Sequence, residues 1–356
     1  MLRTSDLPER DLLETDATGT RATRGSSLSE LISRIVRPAQ TPRSAKTVRF
    51  VRENTSIVLL VVLLIAGASV SPVFFTADNL LNILWAVSIL GIVALGQCIL
   101  IITCKFDMSV AFTIGLSGVA TITAQNAGVG LLPSFGIGIL TGVAIGLLNG
   151  VIVVTTKANP FLVTLGSSWL VYSVALAITN SKTIGSPYES FGALGRGRLA
   201  GTVHYSVVIF LILAVVLEIV FRHTAFGRSL FVIGINERVA HLSGTRVNRT
   251  VILTFVACST AAAMAGLIIA SRNGSTVANV GIGMDFESII AVVLGGTSLF
   301  GGRGGALRTV VGVVVLGVLN NLMVLLNFPI EAQQIAKGSI FLLIVWMDSF
   351  LREDKR

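Results

Sequence analysis

Long apolar runs, nearly free of charge, dominate this sequence and decide what it can become. A bilayer core about 30 Å thick requires roughly 20 apolar residues for one helical crossing. Ten runs reach or approach that length: 56–75, 83–103, 107–126, 131–155, 160–180, 203–222, 250–271, 284–300, 305–327 and 331–350. The pattern predicts an all-α polytopic membrane protein with about ten transmembrane helices. Charge content agrees, because 13% of the 356 residues are charged, against roughly 25% in soluble domains. An ordinary water-soluble enzyme is excluded. The eighth run is short and is interrupted by Gly295, Gly296, Gly301 and Gly302, which fits a broken or re-entrant helix.

The first 54 residues are different in kind. Residues 1–53 hold 10 of the 27 Lys/Arg and 7 of the 18 Asp/Glu, a composition that predicts a disordered tail with at most a short amphipathic helix around Leu28–Val36. The segment is too long and too polar for a cleavable signal, so the first apolar run is expected to remain as a span. The expected organisation is a cytoplasmic tail over 1–54, a membrane domain over 55–351 with a cytoplasmic loop at 222–250, and a short cytoplasmic tail over 352–356.

The formal net charge of +9 does not point to nucleic acid, because the basic residues are scattered between apolar runs as in membrane-protein loops. Placing the N-terminus inside puts 17 Lys/Arg on one face of the membrane, including Arg37, Arg43, Lys46, Arg49 and Arg52 beside the first span. The opposite face receives Lys182, Arg196, Arg198 and Arg272. That bias places both termini in the cytoplasm.

Catalytic signatures are missing from the sequence. It contains no phosphate-binding loop, no zinc-protease motif and no nucleophile elbow, and His204, His223 and His241 have no clustered Cys or carboxylate. Cys98, Cys104 and Cys258 lack metal or disulfide spacing and read as small apolar packing residues. The chain is therefore expected to hold no metal and no cofactor and to perform no catalysis of its own.

Within the runs lie Gln97, Asn149, Asn320 and Asn321, while charges are expected only at run ends: Asp107 opening the third, Glu218 one turn from Arg222, and Lys337 able to snorkel. Neutral amides and hydroxyls suit a neutral, hydroxyl-rich solute that must bind and leave. They serve equally well as interhelical glue. The lack of an acidic midplane site argues against ion coupling. Gly138, Gly142, Gly146 and Gly150 recur every fourth residue and predict a face where another backbone approaches closely. Gly146-Leu147-Leu148-Asn149-Gly150 also resembles Gly317-Val318-Leu319-Asn320-Asn321, five runs later. An odd offset reverses direction across the membrane, as in an inverted five-plus-five repeat.

Between the sixth and seventh runs, Asn236 can cap a short helix, Glu237 complements its dipole, Val239 and Leu242 share a face, and Gly244 stands at the C-cap position. So short a helix needs a docking surface. Its own membrane domain and a partner protein both satisfy that need.

Three motifs carry a family resemblance: Asn159-Pro160-Phe161-Leu162-Val163-Thr164-Leu165-Gly166; the loop from Thr224-Ala225-Phe226-Gly227-Arg228 through Gly234-Ile235-Asn236 to Leu242-Ser243-Gly244; and Gly295-Gly296-Thr297-Ser298-Leu299-Phe300-Gly301-Gly302-Arg303-Gly304-Gly305. Over about 56–350 the chain resembles the permease subunits of bacterial ATP-binding-cassette (ABC) importers for ribose, xylose and related sugars, including autoinducer-2. The resemblance implies a multi-pass inner-membrane permease of the type II importer plan, working as a homo- or heterodimer. A separate cytoplasmic ATPase would hold ATP and Mg, and an extracytoplasmic binding protein would deliver a sugar or polyol. It implies that the loop helix couples to the ATPase through Asn236, Ala240, Leu242, Ser243 and Gly244. The expected path lining is Asp107 and Ser109 at one gate, with Asn149, Phe161, Thr164, Thr297 and Asn320 nearer the centre. The family's usual Gly-Gly-Ile-Asp-Leu-Ser-Val-Gly-Ser reads here as Cys104-Lys105-Phe106-Asp107-Met108-Ser109-Val110-Ala111-Phe112, and Arg308 replaces another usual glycine. Such departures fit one half of a heterodimer. The competing expectations are an ion-coupled secondary transporter, a membrane enzyme or scaffold, and an ABC permease for branched-chain amino acids.

Overall fold

The computed structural model describes residues 55–353. The expected tail over 1–54, its Leu28–Val36 helix and the last residues 354–356 lie outside the described residues. Each of the ten apolar runs carries a helix: α1 (Thr55–Val70), α2 (Ala77–Ile102), α3 (Val110–Asn126), α4 (Leu131–Thr156), α5 (Pro160–Thr179), α7 (Tyr205–His223), α10 (Val247–Asn273), α11 (Met284–Leu294), α12 (Ala306–Leu325) and α13 (Ile330–Glu353). Six of them, α2, α4, α5, α7, α10 and α12, are long and apolar enough to cross a membrane. Short helices α6 (Ala193–Arg196), α8 (Ala225–Ile235) and α9 (Glu237–Leu242) lie in the connections.

Helix α2 is the hub. It is apolar all round, and from Val87 to Ile102 every residue is buried, as expected of a helix enclosed by others. It packs against α7, α10, α11 and α12. Thr76 caps its start by accepting the Asn79 N–H, and Cys104, in the left-handed region at φ 61°, turns the chain away from its end. The Gly138–Gly150 ladder of α4 meets α10 as its spacing predicts. A Cβ on Gly142 would lie 2.5 Å from the Ser259 carbonyl oxygen, and one on Gly146 would lie 2.6 Å from that of Phe255. No side chain fits between these backbones.

Three details refine the sequence expectation. The eighth run is helical only over the 11 residues of α11, which begins after the irregular stretch 277–283 and stops before Gly296, at φ 94°. The 222–250 loop holds two helices, not one, because Thr224 caps α8 by accepting the Gly227 N–H at 2.9 Å. The structure is also not wholly helical: β1 (Ile184–Gly185) pairs antiparallel with β4 (Ser275–Thr276), and β2 (Arg198–Leu199) with β3 (Val203–His204). The β1–β4 ribbon fastens the α5–α7 connection to the end of α10 remote from α9, while β2–β3 closes a turn within that connection.

Candidate functional site

Two polar regions stand out in the apolar bundle. The first is a closed knot around Asp107. Its Oδ1 accepts the Ser109 N–H at 2.8 Å and the Ser109 hydroxyl at 2.5 Å. Its Oδ2 accepts the Ser259 hydroxyl of α10 at 3.0 Å. Gln97 of α2 donates through Nε2 to the Asp107 carbonyl at 2.8 Å, and Cys258 donates to Gln97 Oε1 at 3.5 Å. Asn149 of α4 donates to Ser109 Oγ at 2.9 Å, and Thr164 of α5 accepts the Met108 N–H at 3.0 Å. One short segment is thereby tied to α2, α4, α5 and α10. Of the predicted path residues, Asp107, Ser109, Asn149 and Thr164 come together here, all fully buried. None of them lines the cavity described next.

Asp107 stands at the start of the third run as the sequence predicts, but it is fully buried, which the sequence did not reveal. It precedes α3, whose N-cap is Ser109, and it is buried because 103–109 folds back beside Gln97. A carboxylate inside apolar protein requires several donors, and the neighbouring hydroxyls and amide supply them.

The second region is a cavity of about 480 Å³ at the opposite end, between α2, α10, α11 and α12. Its polar lining comprises Asn82, Arg272, Asn273, Glu287, Asn320 and Asn321. Asn321 is held by a reciprocal amide pair with Asn79, at 2.7 and 3.0 Å. Asn320 is not held, and its Oδ1 is buried without a partner. Beside the cavity, the Trp85 indole stacks on His204 at 4.2 Å and carries the Arg272 guanidinium 3.5 Å from its ring centroid. Trp85 Nε1 and His204 Nδ1 are also buried and unpaired. Burial, then the charges of Arg198 and Arg272, hold the His204 imidazole below its ordinary pKa. Glu287 pairs with Lys337 of α13 at 2.5 Å. The sequence reads Lys337 as able to snorkel and gives no sign of this pair, whose members are 50 positions apart, beyond the reach of local patterning.

The remaining predicted residues are dispersed. Thr297 is buried, 4.0 Å from Cys98, and Phe161 is exposed on α5. Only Asn320 of the predicted path borders the cavity. Cys98 and Cys258 are buried as expected, whereas Cys104 is exposed at its left-handed turn.

The short helix α9 is built as its sequence predicts. Asn236 Oδ1 accepts the Arg238 and Val239 N–H groups at 2.9 and 3.1 Å, and Gly244 is at φ 78°. Leu242 is 82% exposed and Val239 51%, on a helix with no described neighbour covering that face. Asn236, Ser243 and Gly244 are exposed as well. Ala240 points inward and is fully buried, so it anchors α9 and offers no contact to a partner.

Sequence reasoning noted Gln97 without assigning it a site, and missed Ser259, Asn79, Trp85, Arg272 and Glu287. A serine or cysteine in an apolar helix carries no signal until its neighbour across the bundle is known. In the sequence Arg272 reads only as a charge at the end of its run.

Six helices long and apolar enough to cross a membrane, packed around a buried polar knot and beside a mostly apolar cavity edged by a few polar side chains, fit a polytopic membrane protein. The chain belongs to the family described as the permease component of the branched-chain amino acid transport system, whose pattern matches residues 79–345. It is 37% identical to the L-arabinose transport system permease protein AraH of Escherichia coli K12, over 84% of this chain and 91% of that one. It is 34% identical to the ribose import permease protein RbsC of the same strain, over 85% and 95% of the two chains. The RbsC protein of Haemophilus influenzae is 31% identical over 86% and 96%. No solved structure matches.

Proposed function

We propose that this chain is the permease subunit of an ABC importer for a sugar or sugar-like polyol. The observation that carries the reading is identity of 31–37% to ribose and arabinose permeases along nearly their whole length. The geometry supports it: the cavity offers amides, a guanidinium and a carboxylate, groups that exchange hydrogen bonds with hydroxyls, and α9 presents an uncovered apolar face. In this reading all ten helical segments belong to a multi-pass domain in the bacterial inner membrane, with both termini cytoplasmic. The α9 end faces the cytoplasm, and the cavity faces a solute-binding protein outside.

Hydrolysis belongs to a partner ATPase that holds ATP and Mg; Asn236, Leu242, Ser243 and Gly244 form the surface it docks on. Two permeases, identical or paralogous, complete the assembly. An inverted repeat underlies it, supported by helix pairing: Gly146 of α4 meets α10, while Gly317 of α12 meets Val87 of α2. Each pair swaps into the other by a shift of five spans. Solute enters the Asn320 cavity, and release requires the Asp107 knot to open as the helices rock.

The test is uptake into proteoliposomes holding the permease, its ATPase and its binding protein, with ATP supplied. Pentoses or hexoses are expected to accumulate only with ATP. Accumulation driven by an ion gradient in the permease alone would overturn the reading, and accumulation of leucine or valine in place of sugars would move it to branched-chain amino acids.

A further inference from the structure

The strand of chain between α2 and α3 is held at two points only two residues apart. Asp107 is locked in the buried knot. Lys105 is turned the other way, with its side chain 10% exposed and its Nζ 3.2 Å from Glu237 Oε2, the first residue of α9. Among the described residues Glu237 is its one ion-pair partner. Backbone contact reinforces the joint. The Gly302 N–H donates to the Ile102 carbonyl at 2.9 Å, and a Cβ on Gly234 would fall 1.9 Å from that same oxygen. A Cβ on Gly301 would fall 2.9 Å from the Gly234 carbonyl oxygen and 3.0 Å from Cys104. The ends of α2 and α8 and the 295–305 loop therefore meet with no side chain between them.

We propose that the Lys105–Glu237 ion pair is the link through which displacement of α9 opens the Asp107 knot. The inference rests on the reading of α9 as the surface an ATPase moves. Two residues span at most about 7 Å when extended, so slack between Lys105 and Asp107 is small. Hydrogen bonds of 2.5–3.0 Å at Asp107 weaken steeply when stretched or bent. A pull on Lys105 reaches Ser109, Ser259 and Asn149 together, because they share one carboxylate and one hydroxyl. The warrant is a shared element with two arrangements, knot closed or open, biased from α9. Lys105 is a positioning residue: it touches neither the cavity nor a solute.

The test has two readouts. Hydrogen exchange over 105–110 is measured on the permease alone in nanodiscs, for wild type, Lys105→Met, Glu237→Gln and the exchanged pair Lys105→Glu/Glu237→Lys. Solute moved per ATP is measured on the reconstituted complex. Both single variants are expected to raise exchange at least tenfold and to lower solute per ATP at least fivefold, and the exchanged pair is expected to restore both to within twofold. Wild-type exchange in Lys105→Met overturns the link whatever the ATPase does, and so does wild-type solute per ATP in that variant. Loosened exchange in a permease to which no ATPase binds supports the joint and overturns the importer reading instead.

Discussion

The knot and the cavity are made of the same kinds of residue and are built to opposite ends. At Asp107, donors and acceptors are matched across five helical elements and nothing is left open, apart from one unpaired Asn149 amide oxygen. In the cavity, Asn320 Oδ1 is unpaired, as are Trp85 Nε1 and His204 Nδ1 beside it. Unsatisfied polar atoms in an apolar protein cost free energy, and among the described residues three of them gather in or beside the cavity against one in the knot. The difference teaches that one end of the bundle is arranged to hold helices together and the other to receive a ligand.

The sharpest way to break that comparison is Asp107→Ala. Loss of the shared acceptor strands the Ser109 and Ser259 donors and is expected to cost on the order of 3 kcal/mol, read as a lower midpoint in detergent thermal unfolding. Next come matched glycine variants. A Cβ on Gly146 meets α10 backbone, while one on Gly317 meets only the Val87 side chain at the cavity edge. Gly146→Ala should therefore cost about 2 kcal/mol and Gly317→Ala about 1 kcal/mol.

Asn320→Leu inverts the pattern. Removing an unpaired acceptor leaves the unfolding midpoint unchanged or slightly higher, while ATP-dependent solute uptake falls about tenfold, a loss of about 1.4 kcal/mol in affinity or transition-state terms. Smaller still is Cys104→Gly, which relieves a non-glycine residue at φ 61° and should stabilise by up to about 1 kcal/mol.

The smallest effect is a pH dependence at His204. Its folded-state pKa is depressed, so the unfolded chain binds the extra proton first. Stability is then full above the ordinary value of about 6.5 and is lost as pH falls below it. His204→Gln should flatten that part of a midpoint-against-pH curve between pH 7.5 and 5.5; an unchanged slope would contradict the assignment.

Much of the fold was legible because the bilayer imposes length and composition on each span. The four-residue glycine period gave the α4 face that meets α10, and the Asn236 and Gly244 caps gave α9. The broken eighth run was written in Gly295 and Gly296. What stayed hidden depends on partners far apart in sequence: Asp107 with Ser259, 152 positions away, and Asn79 with Asn321, 242 away. Single residues in a sequence group Thr164 with Asn149, which the structure brings to the same segment, but do not distinguish a closed knot from an open lumen. Phe161, assigned to the path as well, is exposed on α5 and away from the knot. An aromatic residue at a helix start looks the same whether it faces a lumen or lipid.

In the proposed mechanism the knot is shut at rest and opens when α9 is driven. Cys258 already sits in the knot as a native reporter, and Asn320→Cys places a second thiol at the cavity, with Cys104→Ser removing the exposed one. Alkylation by a small water-soluble maleimide is followed residue by residue by mass spectrometry, at rest and with the ATPase complex trapped in its ATP state. The account predicts fast labelling of Asn320→Cys and none of Cys258 at rest, with Cys258 becoming reactive in the trapped complex. Cys258 reacting at rest as fast as Asn320→Cys, or staying inert in both states, would contradict it.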